Sequence, residues 1–254
     1  DSLELQGSIM KTSSNEVQML AEPNPLQLPW HDLEVDIVIE STGIFRKREQ
    51  LQEHIHAGAK RVILTVPAKD EIDYTVVLGV NDNGLNAEHK IISNASCTTN
   101  CLAPMAKILH DNFGIDYGVI NTVHAYTNDQ RLADVPHSDW RRSRAAAENI
   151  IPTTTGAARA VGKVLPELDG KLDGIAMRVP VPDGSVVDGI FRLKKKVTDN
   201  DINEAVLAAS KSDLMKTVVE YSTLPVVSSD IIGNPHSSIF DAPFTKVIGG
   251  TLIK

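Results

Sequence analysis

The sequence predicts an α/β chain in two parts, a parallel-sheet part over residues 1–96 and an α+β part with a mainly antiparallel sheet over residues 97–254. Three observations carry this. Between Asp36 and Val66 two short β-branched runs flank a helical stretch, the pattern of a right-handed βαβ crossover. A run of small polar residues, Ser93–Asn100, then interrupts that rhythm. Beyond it the apolar segments lengthen, and one of them alternates as antiparallel strands do.

Asp36–Glu40 is apolar and β-branched without alternation, so it reads as a strand covered on both faces. Ser41-Thr42-Gly43 turns the chain. Arg46–Ala57 carries helix formers with Leu51 and Ile55 on one face, and Gly58 is placed to stop the helix. Arg61–Val66 is the second buried-type strand, and Thr75–Val80 and Lys90–Ile92 are predicted as further short ones. A helix then runs to Phe113–Gly114, with Pro104 tolerated near its start or at a kink because proline lacks an N–H. Val119–Tyr126, Ile175–Val181 and Val186–Lys196 read as longer strands. Thr127–Ala145 is a polar, arginine-containing loop, and Thr155–Leu165 and Asp199–Ser210 are helices. Thr251–Lys254 alternates like a strand cut short, and the first twenty residues show neither a targeting pattern nor a clean start of a fold, so the chain reads as a fragment.

Of the 254 residues 42% are hydrophobic and 23% charged, enough to bury a substantial core and to exclude a disordered chain. The net charge of −8 argues against bulk attraction to nucleic acid or an anionic membrane, so an anionic ligand needs a local pocket of cations or N–H donors. No apolar run approaches the ~18 residues of a membrane span. Two cysteines, Cys97 and Cys101, leave no disulfide framework and suit a reducing, cytoplasmic compartment. They make half of a zinc site, and neither a second Cys pair nor a His-x3-His completes it, so no metal is expected.

Cys97 follows a strand and opens a helix, where unpaired N–H groups and the helix dipole favour a thiolate. Alone, it reads equally as a small buried apolar residue. His124 lies in an apolar strand, where a lone histidine is also an ordinary core residue. Together they make the pair that thiol catalysis requires. Cys101, one turn further on, reads as a packed structural thiol, because a disulfide within one helical turn is strained. Ser96, Thr98 and the run Thr153-Thr154-Thr155-Gly156 at a second helix start offer the hydroxyl and N–H donors that hold phosphate. That run is equally an ordinary helix N-cap. Arg142 and Arg178 bring guanidinium forks suited to charge-assisted bonds, although Arg141, Arg142 and Arg144 also read as a solvated loop face, as does Lys194–Lys196.

The run Ser93-Asn-Ala-Ser-Cys-Thr-Thr-Asn-Cys-Leu-Ala-Pro104 closely resembles the active-site signature of phosphorylating glyceraldehyde-3-phosphate dehydrogenases. The resemblance continues in family order through Thr122–Gln130, Trp140–Ala147, Ile151–Ala158, Lys163–Leu168 and Met177–Pro180, and is nearly continuous from Asp36 onward. It implies the second part of a Rossmann-type nucleotide-binding domain followed by the family's catalytic domain. It further implies oxidation of the aldehyde of D-glyceraldehyde 3-phosphate to 1,3-bisphosphoglycerate with reduction of NAD, in glycolysis or gluconeogenesis. Cys97 then resembles the nucleophile that adds to the aldehyde, and His124 the base that activates the thiol and assists loss of the hemithioacetal proton. Hydride passes to the nicotinamide, and inorganic phosphate attacks the resulting thioester.

By the same resemblance Thr127 and Arg178 hold the substrate's own phosphate, while Ser96, Thr98, Thr155 and Gly156 hold the attacking phosphate, with Arg142 between the two. Ser41, Thr42, Gly43, Phe45 and Thr65 resemble cofactor contacts beside the adenosine half, and Asn128 a residue near the nicotinamide. Pro136 resembles the proline of NAD-preferring rather than NADP-using members. The glycine-rich dinucleotide turn and the acidic ribose reader are absent from the 254 residues, and Lys254 stops before the family's final strand and helix, so this chain alone is expected to bind cofactor poorly. Asp1–Trp30 fits the family weakly, with Ala21-Glu-Pro-Asn-Pro25 where an adenine-side Glu-Arg-Asp-Pro type segment is usual. The resemblance also implies a homotetramer in which the Thr127–Ala145 loop reaches toward a neighbour's cofactor. Two alternatives stand beside it. Erythrose-4-phosphate dehydrogenase is disfavoured by Thr153–Gly156, and a noncatalytic binding or structural derivative by the retained Cys97, His124 and phosphate residues.

Overall fold

The computed structural model describes residues 3–254. Glu4–Gln6 (β1), Ile9–Lys11 (β2) and Glu16–Gln18 (β3) form a three-stranded antiparallel sheet. The first twenty residues show no clean start of a fold in the sequence because strands of three residues, solvent-facing in β1 and β3, are too short to show a period.

Ile37–Glu40 (β4), Arg48–His56 (α1) and Arg61–Leu64 (β5) build the predicted βαβ unit, and Tyr74–Thr75 (β6) and Ile91–Ser93 (β7) complete a parallel sheet in the order β4-β5-β7-β6. Leu51 of α1 packs with Val38, Val62, Leu64 and Ile91 to form its core. Gly58, at φ +114°, follows the cap residue Ala57, and a Cβ there would lie 2.5 Å from the His31 backbone nitrogen. Two expectations are corrected. β4 is an edge strand covered on one face: Val38 and Glu40 are buried, whereas Ile37 and Ile39 are 48% and 58% exposed. The strand predicted over Thr75–Val80 stops at Thr75, because Asn81 Oδ1 accepts the Val77 N–H, Asp82 Oδ1 accepts the Gly79 N–H and Asn81 Nδ2 donates to the Thr75 carbonyl. Those side chains take the backbone groups that a ladder would need.

Cys97–Phe113 (α2) runs from the parallel sheet into the second core. Pro104 is buried in its middle and leaves the Asn100 carbonyl without its helical donor. The helix continues because Leu102, Ala103, Ala106 and Leu109 bury its inner face. Next come Ile115–Ala125 (β8), Ile151–Thr154 (β9), Ala157–Val164 (α3), Leu172–Val179 (β10), Ser185–Leu193 (β11) and Asp199–Ser210 (α4). Val219–Ser222 (β12), Ser238–Asp241 (β13), Val247–Ile248 (β14) and Leu252–Ile253 (β15) end the chain. Six of these strands form one sheet in the order β14-β15-β11-β8-β10-β9, antiparallel except for β8 beside β10. One face packs Ile115, Ile120, Leu172, Phe191 and Leu193 against α2 and α3, and the other leaves Tyr117, Val119, Ile175 and Val186 exposed. Among the described residues no helix is long and apolar enough to cross a membrane.

Candidate active site

Cys97 is delivered by a strained turn. β7 ends at Ser93, whose hydroxyl donates to the Val66 carbonyl and accepts the Ala95 N–H. Ala95 is buried with φ +56°, a left-handed conformation that a non-glycine residue adopts at a cost. Ser96 caps α2 by accepting the Thr99 N–H, and Asn100 Nδ2 bridges the Asn94 and Ser96 carbonyls. Cys97 thereby becomes the exposed first residue of the helix.

The thiol meets His124 at Sγ–Nε2 3.1 Å. His124 is buried one residue from the end of β8, and Arg178 lies beside it in the β8–β10 register. The hydrogen bond from His124, reinforced by its charge and by the Thr98 amide and hydroxyl, lowers the Cys97 pKa to about 7 against the opposing cost of burial. His124 Nδ1 lies 2.7 Å from the Ala125 carbonyl and 2.7 Å from Arg178 Nη1, which itself donates to that carbonyl at 2.8 Å. Both proton positions are therefore accommodated. With a neutral thiol, Nε2 accepts and Nδ1–H donates to the Ala125 carbonyl; once the thiol proton has passed to Nε2, the imidazolium donates Nε2–H to the thiolate and keeps Nδ1–H on that carbonyl. Burial pushes the Cys101 thiol up, and its Sγ packs 3.5 Å from Ser238 Oγ, as expected of a structural thiol.

The starts of α2 and α3 lie side by side, since Thr99 Oγ1 donates to the Ala157 carbonyl at 3.3 Å. Ser96, Thr98, Thr155 and Gly156 therefore share one neighbourhood. The run Thr153–Gly156 departs from the expected cap: Thr153 and Thr154 end β9, Gly156 is the cap residue, and Thr155 Oγ1 accepts the Ala157 N–H at 3.1 Å. Arg142 is drawn away from a free role. It pairs with Asp129 at 2.7 Å and Asp139 at 3.3 Å, and its Nε donates to Thr153 Oγ1 at 2.8 Å. Arg178 Nε, in contrast, is buried without a partner, a cationic donor with a bond still to make. Thr127 follows β8, and its N–H donates to Gln130 Oε1 at 3.0 Å.

Ser41–Gly43 and Thr65 leave the carboxyl ends of the parallel strands β4 and β5, and Cys97 lies four residues beyond the end of β7, at the same edge. This is where open α/β sheets hold ligands. Gly43, at φ +75°, faces open space, Ser41 is exposed, and the Thr65 N–H and hydroxyl are tied to the Glu40 carbonyl. The edge from the Ser41–Gly43 turn toward the thiol is open to an extended ligand. Asn128 lies in the loop beyond Thr127 and lines an open groove with Tyr126, Arg131, Leu132 and Pro182. Among the described residues no cluster of three metal-ligating side chains occurs.

Residues 96–254 match the family model described as glyceraldehyde 3-phosphate dehydrogenase, C-terminal domain. The chain belongs to that family. Residues 1–48 match the model described as glyceraldehyde 3-phosphate dehydrogenase, NAD binding domain. Proteins named glyceraldehyde-3-phosphate dehydrogenase are 56% identical over 252 residues in Borreliella burgdorferi (97% of this chain, 75% of the relative) and 53% identical over 251 residues in Geobacillus stearothermophilus (98% and 74%). One from Streptomyces coelicolor is 56% identical over 239 residues (94% and 71%). With the family in view, two site residues escaped sequence reading. Gln130, 3% exposed, holds Thr127, and Asp129 holds Arg142. Asp129 and Gln130 lie in the Thr122–Gln130 run that carries the resemblance, but as single polar residues just beyond β8 they give no sign of which side chains they hold.

Proposed function

We propose that the chain carries the catalytic chemistry of a phosphorylating glyceraldehyde-3-phosphate dehydrogenase, and the observation that carries this is the 3.1 Å Cys97–His124 pair at the edge of the parallel sheet. The Cys97 thiolate adds to the aldehyde carbon of glyceraldehyde 3-phosphate while His124 Nε2–H gives its proton to the carbonyl oxygen, and His124 takes that proton back as hydride leaves the hemithioacetal carbon. NAD, held by Ser41, Thr42, Gly43, Phe45, Thr65 and Asn128, supplies the hydride acceptor when bound. Inorganic phosphate then attacks the Cys97 thioester and expels the thiolate, which His124 steadies. Ser96, Thr98, Thr155 and Gly156 orient that phosphate with hydroxyls and helix N–H groups. Arg178 and Thr127 hold the substrate's own phosphate. The unpartnered Arg178 Nε supports this, as a donor an anion would satisfy. Arg142 reaches the phosphates by exchanging Asp129 for an anion of stronger charge.

The whole protein is proposed to work in the cytoplasm as a homotetramer; the exposed apolar sheet face and the exposed Leu132 and Trp140 of the Thr127–Ala145 loop support self-association. The test is NADH formation by the full-length protein from glyceraldehyde 3-phosphate and NAD, with and without inorganic phosphate. Sustained turnover that requires phosphate is expected. Faster oxidation of erythrose 4-phosphate, or no turnover from a folded, reduced protein, would overturn the reading.

A further inference from the structure

Beneath the Ser41–Gly43 turn lies a chain of side chains that the thiol chemistry does not use. Trp30 Nε1 donates to His54 Nδ1 at 3.1 Å, and His54 Nε2 faces Glu40 Oε2 at 3.3 Å. Glu40 Oε1 accepts the Thr42 N–H at 2.8 Å and the Thr42 hydroxyl at 2.5 Å. The His54 and Glu40 side chains are only 4% and 3% exposed. An indole N–H donates and never accepts, so His54 Nδ1 must accept. The imidazole then carries its proton on Nε2 and donates to Glu40, which leaves Glu40 Oε1 to accept both Thr42 groups. Every hydrogen bond from Trp30 to the turn thus runs in one direction.

The same residue anchors a second loop. The Glu40 carbonyl accepts the Thr65 N–H at 3.1 Å and the Thr65 hydroxyl at 3.2 Å. The Thr42 hydroxyl accepts the Ile44 N–H at 3.1 Å, which closes the turn, and Phe45 packs edge-on against His54 with ring centres 6.4 Å apart. A buried carboxylate is costly at a strand end that an apolar side chain would fill more cheaply, and here all its bonds are spent on the turn and on the residue behind it.

We propose that Glu40, His54 and Trp30 are positioning residues that fix the Ser41–Gly43 turn, and through it Thr65 and Phe45, in the shape that receives the adenosine half of the dinucleotide. The inference rests on the assignment of that turn to NAD made above. Its signature is the one-way order of the hydrogen bonds. Glu40→Gln keeps one oxygen for Thr42 but turns an NH2 toward His54 Nε2–H, so donor meets donor, and Trp30 prevents the imidazole from moving its proton to Nδ1. Trp30→Phe removes that block.

The test is calorimetric NAD binding to the full-length protein and its variants, together with nitrogen NMR of the His54 ring. The unaltered protein is expected to show the Nε2–H form of His54. Glu40→Gln is expected to bind NAD about tenfold more weakly, the scale of one frustrated buried hydrogen bond, with kcat at saturating NAD unchanged. Trp30→Phe alone should change affinity by less than about threefold, and the double variant should regain affinity to within about threefold of the unaltered protein, with His54 now in the Nδ1–H form. Unchanged affinity in Glu40→Gln, or a double variant no better than Glu40→Gln, would overturn the inference and leave the dehydrogenase reading standing. Should Glu40→Gln not fold, His54→Phe serves in its place, since it strips Glu40 Oε2 of its donor but leaves Thr42 held; about threefold weaker binding is expected, and equal affinity overturns the inference. An unaltered protein that shows the Nε2–H form yet binds no NAD would overturn the cofactor assignment, and this inference with it.

Discussion

At Cys97 three sets of local influences meet: the hydrogen bond and charge of His124, the amide and hydroxyl of Thr98 at the first turn of a helix, and partial burial. The first and second stabilise the thiolate and the third opposes it, and the balance brings the pKa from 9.0 down to about 7. A depressed thiol pKa means that reactivity toward an alkylating agent rises with pH and is half-maximal near 7 rather than near 9. His124→Asn removes the strongest of these influences and moves the midpoint up toward 9. At neutral pH the thiolate fraction falls from about a half to about a hundredth, a loss of about fiftyfold, while the more basic thiolate is about eightfold more nucleophilic, so alkylation slows by about sixfold. Iodoacetamide labelling across pH, read at the peptide that carries Cys97, measures both midpoints. Coincident profiles for the two proteins would show that His124 does not hold the thiolate.

At the scale of elements, what was legible depended on how local the cause was. α4 spans Asp199–Ser210 as the residues suggest, because its start is set within four positions: Thr198 Oγ1 accepts the Asp201 N–H while the Asp201 carboxylate accepts the Thr198 N–H and hydroxyl. Thr198→Ala is expected to destabilise the protein by about 1 kcal/mol, a fall in Tm of roughly 2–4 °C for a chain of this size, readable in a thermal melt with activity unchanged. The Thr75–Val80 segment has the composition of a strand, yet Asn81 and Asp82 win its backbone groups, a competition that apolar patterning does not register. The Cys97–His124 pair was legible because each residue stands at an element boundary within a long signature. The Asp129–Arg142 pair and the Trp30–His54–Glu40 chain were not, since they join residues 13 to 24 apart through folded geometry that no short-range pattern encodes.

At the scale of the whole molecule, the parallel sheet and the large antiparallel sheet meet at one helix, and the first residue of that helix is Cys97, the proposed nucleophile. The parallel sheet brings its carboxyl edge, with Ser41–Gly43 and Thr65, to the side from which Cys97 projects. The antiparallel sheet brings His124 and Arg178 on adjacent strands from the other side. The two phosphate sites proposed above would need no basic surface on a chain of net charge −8, because their donors are hydroxyls, helix N–H groups and a few arginines in one place. The proposed chemistry requires a covalent acyl group on Cys97, which intact-protein and peptide mass spectrometry detects. The full-length protein mixed with glyceraldehyde 3-phosphate and NAD in the absence of inorganic phosphate is predicted to carry a phosphoglyceroyl adduct on the peptide containing Cys97, and to lose it when phosphate is added. An adduct on another residue, or NADH formed with Cys97 unmodified, would refute that chemistry.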